Sequence, residues 1–219
     1  MENKKNTILL TVIAVATLLV AVVGATFAYF TAQGGTGTSA NVTVTTGTAA
    51  SSEFGTFGAI NIYADASTFA KGKPDATGTT TGTVSWTAPG ATATTTPSEA
   101  DRSFCYTADL IITANTFTKS AANTANAKEL YFTAVKGSTT LVDEQSLVTL
   151  PAGTAVTGTI NIPTTKGGDV LKHKLIAEAG KTVSDSWTIT VTLKNLEVDQ
   201  NENTGKQLTG SIKFTKVAC

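Results

Sequence analysis

A group of oxygen-bearing side chains near the C-terminal end is the chain's clearest candidate for metal binding. Asp199, Asn201 and Asn203 follow a D-x-N-x-N spacing, which in a tight loop directs oxygen ligands towards calcium. The pattern departs from an EF-hand, because Gly205 comes one place late and Gly210 stands where a closing glutamate would be. The same residue types also favour the turn of a polar hairpin. We keep calcium as a candidate at this loop and expect no other cofactor.

The two cysteines, Cys105 and Cys219, are the next residues with distinctive chemistry. Each cysteine lies in a strand-like run, at an even number of residues from polar neighbours. Because alternate residues of a strand face the same side of the sheet, we expect both cysteines on polar strand faces. Thiols of exported proteins tend to be oxidised, and two cysteines allow a single internal pairing. Such a bridge would stabilise the chain by up to about 4.7 kcal/mol, the value for a loop of about 100 residues. The alternatives are two free thiols or a bridge between chains.

Residues suited to catalysis are few. His173 is the only histidine, and it lies between Leu171 and Leu175 in a strand-like run, where we expect a packed or edge position. One histidine is too few for an HExxH zinc motif, and the sequence contains no G-x-S-x-G nucleophile motif. We therefore expect that the protein is not an enzyme.

The N-terminal segment predicts export. Lys4 and Lys5 precede a nearly continuous apolar run, residues 8–23, and small residues follow it, which is the layout of a secretory signal. Cleavage between Ala28 and Tyr29 would remove this segment. Alternatively, the apolar run extended to residue 30 is long enough to span the bilayer and to stay as a membrane anchor.

Strands are predicted from the alternation of apolar and polar residues, which is typical of antiparallel sheets with one face in the core. The clearest runs are residues 104–112, 156–162, 187–194 and 208–215, and the weaker ones are residues 41–46, 57–63, 83–87, 130–135 and 146–150. Residues 76–100 are rich in Thr, Gly and Ala and are interpreted mainly as loop, and residues 119–128 as a candidate short helix. The sequence predicts an all-β fold, an antiparallel jelly-roll-like β-sandwich preceded by an N-terminal apolar signal or anchor helix.

Charge and length limit the function and the domain organisation. The chain has 16 basic and 16 acidic residues, so it lacks the excess of Lys and Arg that neutralises phosphates, and nucleic acid is not an expected partner. We expect a signal or anchor at residues 1–28, a flexible mature N-terminus at residues 29–52, and one sandwich domain at residues 53–219.

A weak strand inside the flexible N-terminus is a candidate donor strand. Val42 and Val44 are its large apolar residues, and glycine-rich residues 33–37 precede it. A strand on a loose tether suits addition to a neighbour's sheet edge, where main-chain hydrogen bonds supply affinity. The alternative is that this strand pairs within its own domain.

Three stretches carry a resemblance to a known family. Residues 24–31 read G-A-T-F-A-Y-F-T, residues 41–48 read N-V-T-V-T-T-G-T, and residues 187–196 read W-T-I-T-V-T-L-K-N-L. Together they resemble the TasA/camelysin family of exported Gram-positive proteins. The resemblance implies processing by the dedicated signal peptidase SipW and a jelly-roll-like fold. The metallopeptidase activity described for camelysin is not carried over, because the usual ligands are missing.

The resemblance and the small catalytic inventory predict a structural function. We expect a self-assembling subunit of an extracellular surface fibre or biofilm matrix, whose partners are other copies of itself. One alternative keeps the N-terminal helix, as a membrane-anchored or pilin-like surface protein. Another alternative is a carbohydrate-binding adhesin, and a peptidase comes last.

Overall fold

The computed structural model describes residues 40–44 and 53–219, with side chains from residue 58 onward. The predicted N-terminal helix, at residues 1–28, lies outside these ranges. Within the part of the chain that is described, no helix has the length and apolar character needed to cross a membrane.

Regular structure in the described residues consists of ten strands and one short 3₁₀ turn. In chain order these are β1 (Ala40–Val44), β2 (Glu53–Tyr63), β3 (Ala76–Thr87), β4 (Ser103–Asn115), β5 (Leu130–Lys136), β6 (Thr139–Ser146), β7 (Gly158–Ile162), β8 (His173–Ile176), β9 (Thr182–Leu193), the 3₁₀ turn Asn201–Asn203, and β10 (Gln207–Val217). The predicted all-β fold is confirmed.

The strands form two sheets. One has the order β1-β3-β9-β5-β6 and the other the order β2-β10-β4-β7, with β8 also paired to β4. Every strand pair is antiparallel except β1 with β3, which is parallel. The prediction of antiparallel sheets is therefore confirmed.

Both sheets turn an apolar face to one shared core, which gives a sandwich-like arrangement. Alternate residues on β9 are buried, as predicted, and so are alternate residues on β4 and β10. The buried positions on these strands include Trp187, Ile189, Val191, Leu193, Phe104, Tyr106, Leu110, Ile112, Leu208, Ile212 and Phe214. Burial of large apolar side chains is the main source of folding free energy, at about 1.5–3 kcal/mol for each one that is fully buried.

β2 of one sheet and β3 of the other approach each other closely, and Gly78 makes this approach feasible. A Cβ atom at Gly78 would lie 3.0 Å from the backbone oxygen of Asn61 and 3.1 Å from Cγ1 of Ile62. No larger residue fits there without displacing β2. The glycine that weakened the strand signal in the sequence is thus needed for packing.

Three local predictions are wrong. Residues 76–82 are the first part of β3 rather than loop, whereas residues 83–87 are strand as predicted; the alternation was hidden because the inward positions include Gly78 and the small residue Thr80. The strand predicted at residues 146–150 is not formed, because β6 ends at Ser146. Residues 119–128 form turns rather than a helix. There the Asn123 side chain donates to the Ala127 carbonyl at 2.8 Å and accepts from the Ala127 amide at 2.9 Å, so a side chain takes the place of helical backbone partners.

Candidate assembly edge

The predicted donor strand lies along β3 in a parallel register. Val42 is aligned with Val84 and Val44 with Trp86. Val84 is fully buried, so this stretch of β3 belongs to the core. In the single chain the strand pairs within its own domain, and the edge that it fits is that of β3.

Trp86 fixes the end of β3 to the opposite sheet. Its indole Nε1 donates to the Arg102 carbonyl at 2.9 Å, and its ring stacks on Phe104 with centroids 5.2 Å apart. Stacked aromatic pairs contribute about 0.5–1.5 kcal/mol beyond their buried area. The surface that receives β1 is therefore held in place by the core.

The other edge of this sheet, β6, is protected against pairing. Its register with β5 shifts between Phe132 and Ala134 and again after Ala134, and Glu144 has a positive φ of 51°. Asp143 pairs with Lys166 at 2.6 Å, and this hydrogen bond and charge hold the pKa of Asp143 below its usual range. Irregular backbone and edge charges discourage the addition of a further strand, so we take the β3 edge as the candidate assembly edge.

The two cysteines form a disulfide. Cys105 is on β4 and Cys219 is the C-terminal residue, and their Cα atoms are 5.2 Å apart. Cys105 faces Val217 in the β4–β10 register, and it is buried in spite of its parity with polar neighbours. The bridge fastens the C-terminus to the sheet next to the strand that precedes it.

The structure does not bring the three calcium candidates together. The Asn203 side chain is buried, where its Oδ1 accepts from the Thr118 amide at 2.9 Å and its Nδ2 donates to the Thr118 carbonyl at 2.8 Å. Asp199 instead accepts from the backbone amide of Asn201 at 3.1 Å. No group of three or more His, Cys, Asp and Glu side chains among the described residues is arranged to hold a metal ion.

A buried carboxylate near this loop was missed by sequence reasoning. Glu129 is buried, and its Oε1 accepts from the Ser120 amide at 2.9 Å and from Asn123 Nδ2 at 2.7 Å. Its Oε2 accepts from the Ser120 hydroxyl at 2.8 Å, from Asn203 Nδ2 at 3.3 Å and from Gln200 Nε2 at 3.5 Å. The neighbours of Glu129 donate hydrogen bonds to it and are not metal ligands. Through these bonds the carboxylate joins two loops. No local motif marks it, because its partners come from two loops that are far apart in the sequence, one with Ser120 and Asn123 and the other with Gln200 and Asn203.

His173 is packed between rings, as its position in a strand-like run predicted. It stacks on Tyr106 at 5.3 Å and meets the edge of Trp187 at 4.9 Å. Its Nε2 lies 3.4 Å from the Ile162 carbonyl oxygen, and its Nδ1 has no hydrogen-bond partner. Burial, together with the positive charge of Lys136, lowers the pKa of His173 to about 4. The ring is therefore neutral at physiological pH.

A chain of hydrogen bonds runs beside this histidine from one sheet to the other. Trp187 Nε1 donates to the Tyr106 hydroxyl at 3.0 Å, which donates to Asp185 Oδ2 at 2.6 Å. Lys136 lies 3.5 Å from the same carboxylate oxygen. Burial and the Asp185 hydrogen bond raise the pKa of Tyr106, so the phenol stays protonated and acts as a structural donor.

The predicted cleavage residues, Ala28 and Tyr29, lie outside the described residues. No protein-family model, curated protein sequence or solved structure matches the chain.

Proposed function

We propose that this protein is an exported structural subunit of an extracellular surface fibre or biofilm matrix. Its partners in the proposal are other copies of itself, and a signal peptidase releases it by cutting between Ala28 and Tyr29. Contact with the membrane is limited to the N-terminal segment. The proposal assigns it no enzymatic activity.

A jelly-roll-like sandwich is the fold that we propose for the subunit. Without β1 and the short β8, the two sheets have the orders β3-β9-β5-β6 and β2-β10-β4-β7. Each sheet thus takes strands from both halves of the chain, as in a double-sheet jelly roll with two Greek keys. This strand order supports a rigid subunit in which each sheet has two fixed edge strands.

The observation that carries the proposal is the position of β1 at the outer edge of β3. A short strand that precedes the sandwich occupies a sheet edge by main-chain pairing, which is the geometry of strand addition. Exchange of an identical element between copies retains the same contacts. If each copy gives its strand to the next, the contact is head-to-tail and produces an open filament.

The test combines two measurements on protein that cells have exported. N-terminal sequencing is expected to show a mature chain that begins at Tyr29, and negative-stain microscopy of the same sample is expected to show fibres. Intact protein that retains Met1 on cells would support the alternative of a membrane-anchored or pilin-like protein. Exported monomers without fibres would contradict the proposal.

One observation favours an adhesin as a second candidate. An open groove of about 430 Å³ lies between β6 and β7, with Leu141 and Val170 as apolar lining and Gln145 and Asn161 as polar lining. Amide side chains over an apolar floor are typical of ligand pockets with a few orienting polar groups. Binding of the mature protein to a glycan array, lost with Asn161→Ala, would favour this function.

A further inference from the structure

Residues 168–179, which we call the β8 flap, form a surface segment with few buried side chains. The flap includes β8 and the exposed residues 168–172 before it, and its buried side chains are His173, Leu175 and Ala177. β8 has four residues and pairs with residues 103–106 of β4. Segments with few buried contacts open at a lower free energy than the core of a protein. The β8 flap is therefore a candidate for local opening.

Glycines flank the flap at both ends. Gly167 and Gly180 have positive φ angles of 71° and 70°, a conformation that glycine adopts without steric cost. Hinges of moving segments are a few such residues that absorb the change in φ and ψ. On its exposed side the flap is fastened by an ion pair of 2.9 Å between Lys174 and Glu99, and exposed ion pairs contribute little to stability. The buried anchors therefore decide whether the flap stays closed.

His173 is the polar residue among these anchors. Its ring packs between Tyr106 and Trp187 and is buried. The Ile162 carbonyl oxygen, 3.4 Å from Nε2, can only accept, so Nε2 carries the hydrogen of the neutral ring and Nδ1 is the position for a second proton. Nδ1 is buried without a hydrogen-bond partner. A proton there would leave a charged N–H group without an acceptor, which disfavours the closed flap.

The charged and titratable groups around the ring are Lys136 on β5, Asp185 on β9 and Tyr106 on β4. Burial, together with the Lys136 charge, lowers the pKa of His173 to about 4. Asp185 attracts the protonated ring, but its Oδ2 already accepts from the Tyr106 hydroxyl at 2.6 Å and lies 3.5 Å from Lys136 Nζ. The proton is therefore bound more readily when the flap is open than when it is closed.

We propose that the β8 flap is released by acid: when His173 takes up a proton, the flap leaves β4 while both sheets stay folded. Release transfers the charged ring to water, where its solvation is restored. The sheets keep their core, because β9 and β10 lie outside the flap and contribute buried residues such as Ile189 and Ile212. Release would uncover the rings of Tyr106 and Trp187, which pack against His173 in the closed form. It does not depend on self-assembly.

Hydrogen–deuterium exchange with mass spectrometry tests the release on exported protein with its disulfide intact. Exchange is measured at pH 7 and pH 5, and each rate is corrected for the intrinsic effect of pH on amide exchange. With a pKa of 6.5 in the open form and about 4 in the closed form, the opening constant should rise about 20-fold between these pH values. We expect this increase in the amides of residues 173–177, while residues 187–193 of β9 stay protected.

Two variants identify the trigger. His173→Phe keeps an aromatic ring at this position but does not titrate, so exchange in its flap should not respond to pH. Lys174→Ala is the matched control, since it removes the exposed ion pair with Glu99 from the same strand and should keep the full response. His173 is also the only histidine, so the NMR signals of its ring follow its protonation in the unmodified protein. The ring should take up its proton over the same pH range in which the flap loses protection.

Three results would overturn the acid-released flap. They are unchanged flap protection at pH 5 in the unmodified protein, an equal response in folded His173→Phe, and a loss of protection in β9 together with the flap, which would be unfolding of the whole domain. If His173→Phe does not fold, the NMR titration decides, and a ring that takes up its proton while the flap keeps its protection also overturns the proposal. Fibre formation is measured separately by microscopy, so none of these results bears on the fibre function.

Discussion

Among single residues, His173 links the stability of the sandwich to pH. Its pKa is lowered from 6.5 to about 4 by burial and by the charge of Lys136. Between these values the unfolded chain binds a proton that the folded chain does not, so the free energy of unfolding falls as pH drops below about 6.5. We expect this residue to account for a loss of up to about 3 kcal/mol by pH 4.

Urea denaturation at pH 7 and at pH 4.5 tests the histidine with the variant His173→Phe. Phenylalanine keeps a ring between Tyr106 and Trp187 but does not titrate, so the variant should lose less stability on acidification than the unmodified protein. Carboxylates such as Asp143 titrate equally in both proteins and cancel in the comparison. An identical loss in both proteins would show that His173 does not contribute.

The Cys105–Cys219 disulfide should contribute strongly to stability, because it closes a loop with a sequence separation of 114 residues. Reduction is expected to lower the free energy of unfolding by about 2–5 kcal/mol. Denaturation with and without reductant measures this difference. The double variant Cys105→Ala/Cys219→Ala is the control and should not respond to reductant. Equal stability of the oxidised and reduced protein would contradict the prediction.

The roles of some of these residues were predictable from the sequence, and the roles of others were not, for a physical reason. Two cysteines allow one internal pair, so the Cys105–Cys219 pairing was predicted by counting. The parity that placed Cys105 on a polar strand face was misleading, because the residue is buried. The D-x-N-x-N spacing of the loop was misleading, because Asn203 turns inward to Thr118 and Glu129. Glu129 itself was not predicted, since its donors come from loops far apart in the sequence.

At the level of structural elements, Glu129 holds the connection between β4 and β5 against the connection between β9 and β10. Glu129→Ala would leave the buried Ser120 amide and hydroxyl without their acceptor, at a cost of about 2–4 kcal/mol. Thermal denaturation measures the loss. The matched control is Glu144→Ala on exposed β6, which should change stability by less than about 0.5 kcal/mol. Similar melting temperatures for both variants would contradict this assignment.

β1 should govern assembly more than folding. In the variant Val42→Lys/Val44→Lys, charged residues would be aligned in register with buried Val84 and half-buried Trp86, and a charge that enters an apolar pocket without a partner costs several kcal/mol. We expect sedimentable fibres to disappear while the circular dichroism spectrum of the monomer is kept. Thr139→Lys/Thr140→Lys, on the β6 edge, is the control and should assemble normally. Normal fibres from the β1 variant would exclude the donor strand, and an unfolded monomer would show that β1 belongs to its own domain.

Elements were predictable where large apolar residues alternate, and they were missed where small residues form the inward face. β9 and β10 were clear because Trp187, Ile189, Ile212 and Phe214 mark one face. β3 was obscured by Gly78 and Thr80, although it is as long as β9. The edge strand β6 was missed because its bulges break the alternation.

For the whole molecule, alternation predicted one core between antiparallel sheets but not the order of the strands. Alternation assigns each residue to a face, whereas strand order depends on which chain segments meet in space. β3 and β9, for example, pair along their full length although β4 to β8 lie between them in the sequence. The parallel position of β1 on β3 was likewise not predictable from its own residues.

The central claim is that the mature chain assembles through its N-terminal strand. The most direct measurement is sedimentation with negative-stain microscopy of two proteins, residues 29–219 and residues 48–219. The longer chain should form fibres. The shorter chain should remain a soluble monomer with the same β-sheet signal in circular dichroism, because the core that Trp187, Tyr106 and Phe214 form lies wholly within it. Fibres from both chains, or no fibres from residues 29–219, would contradict the account.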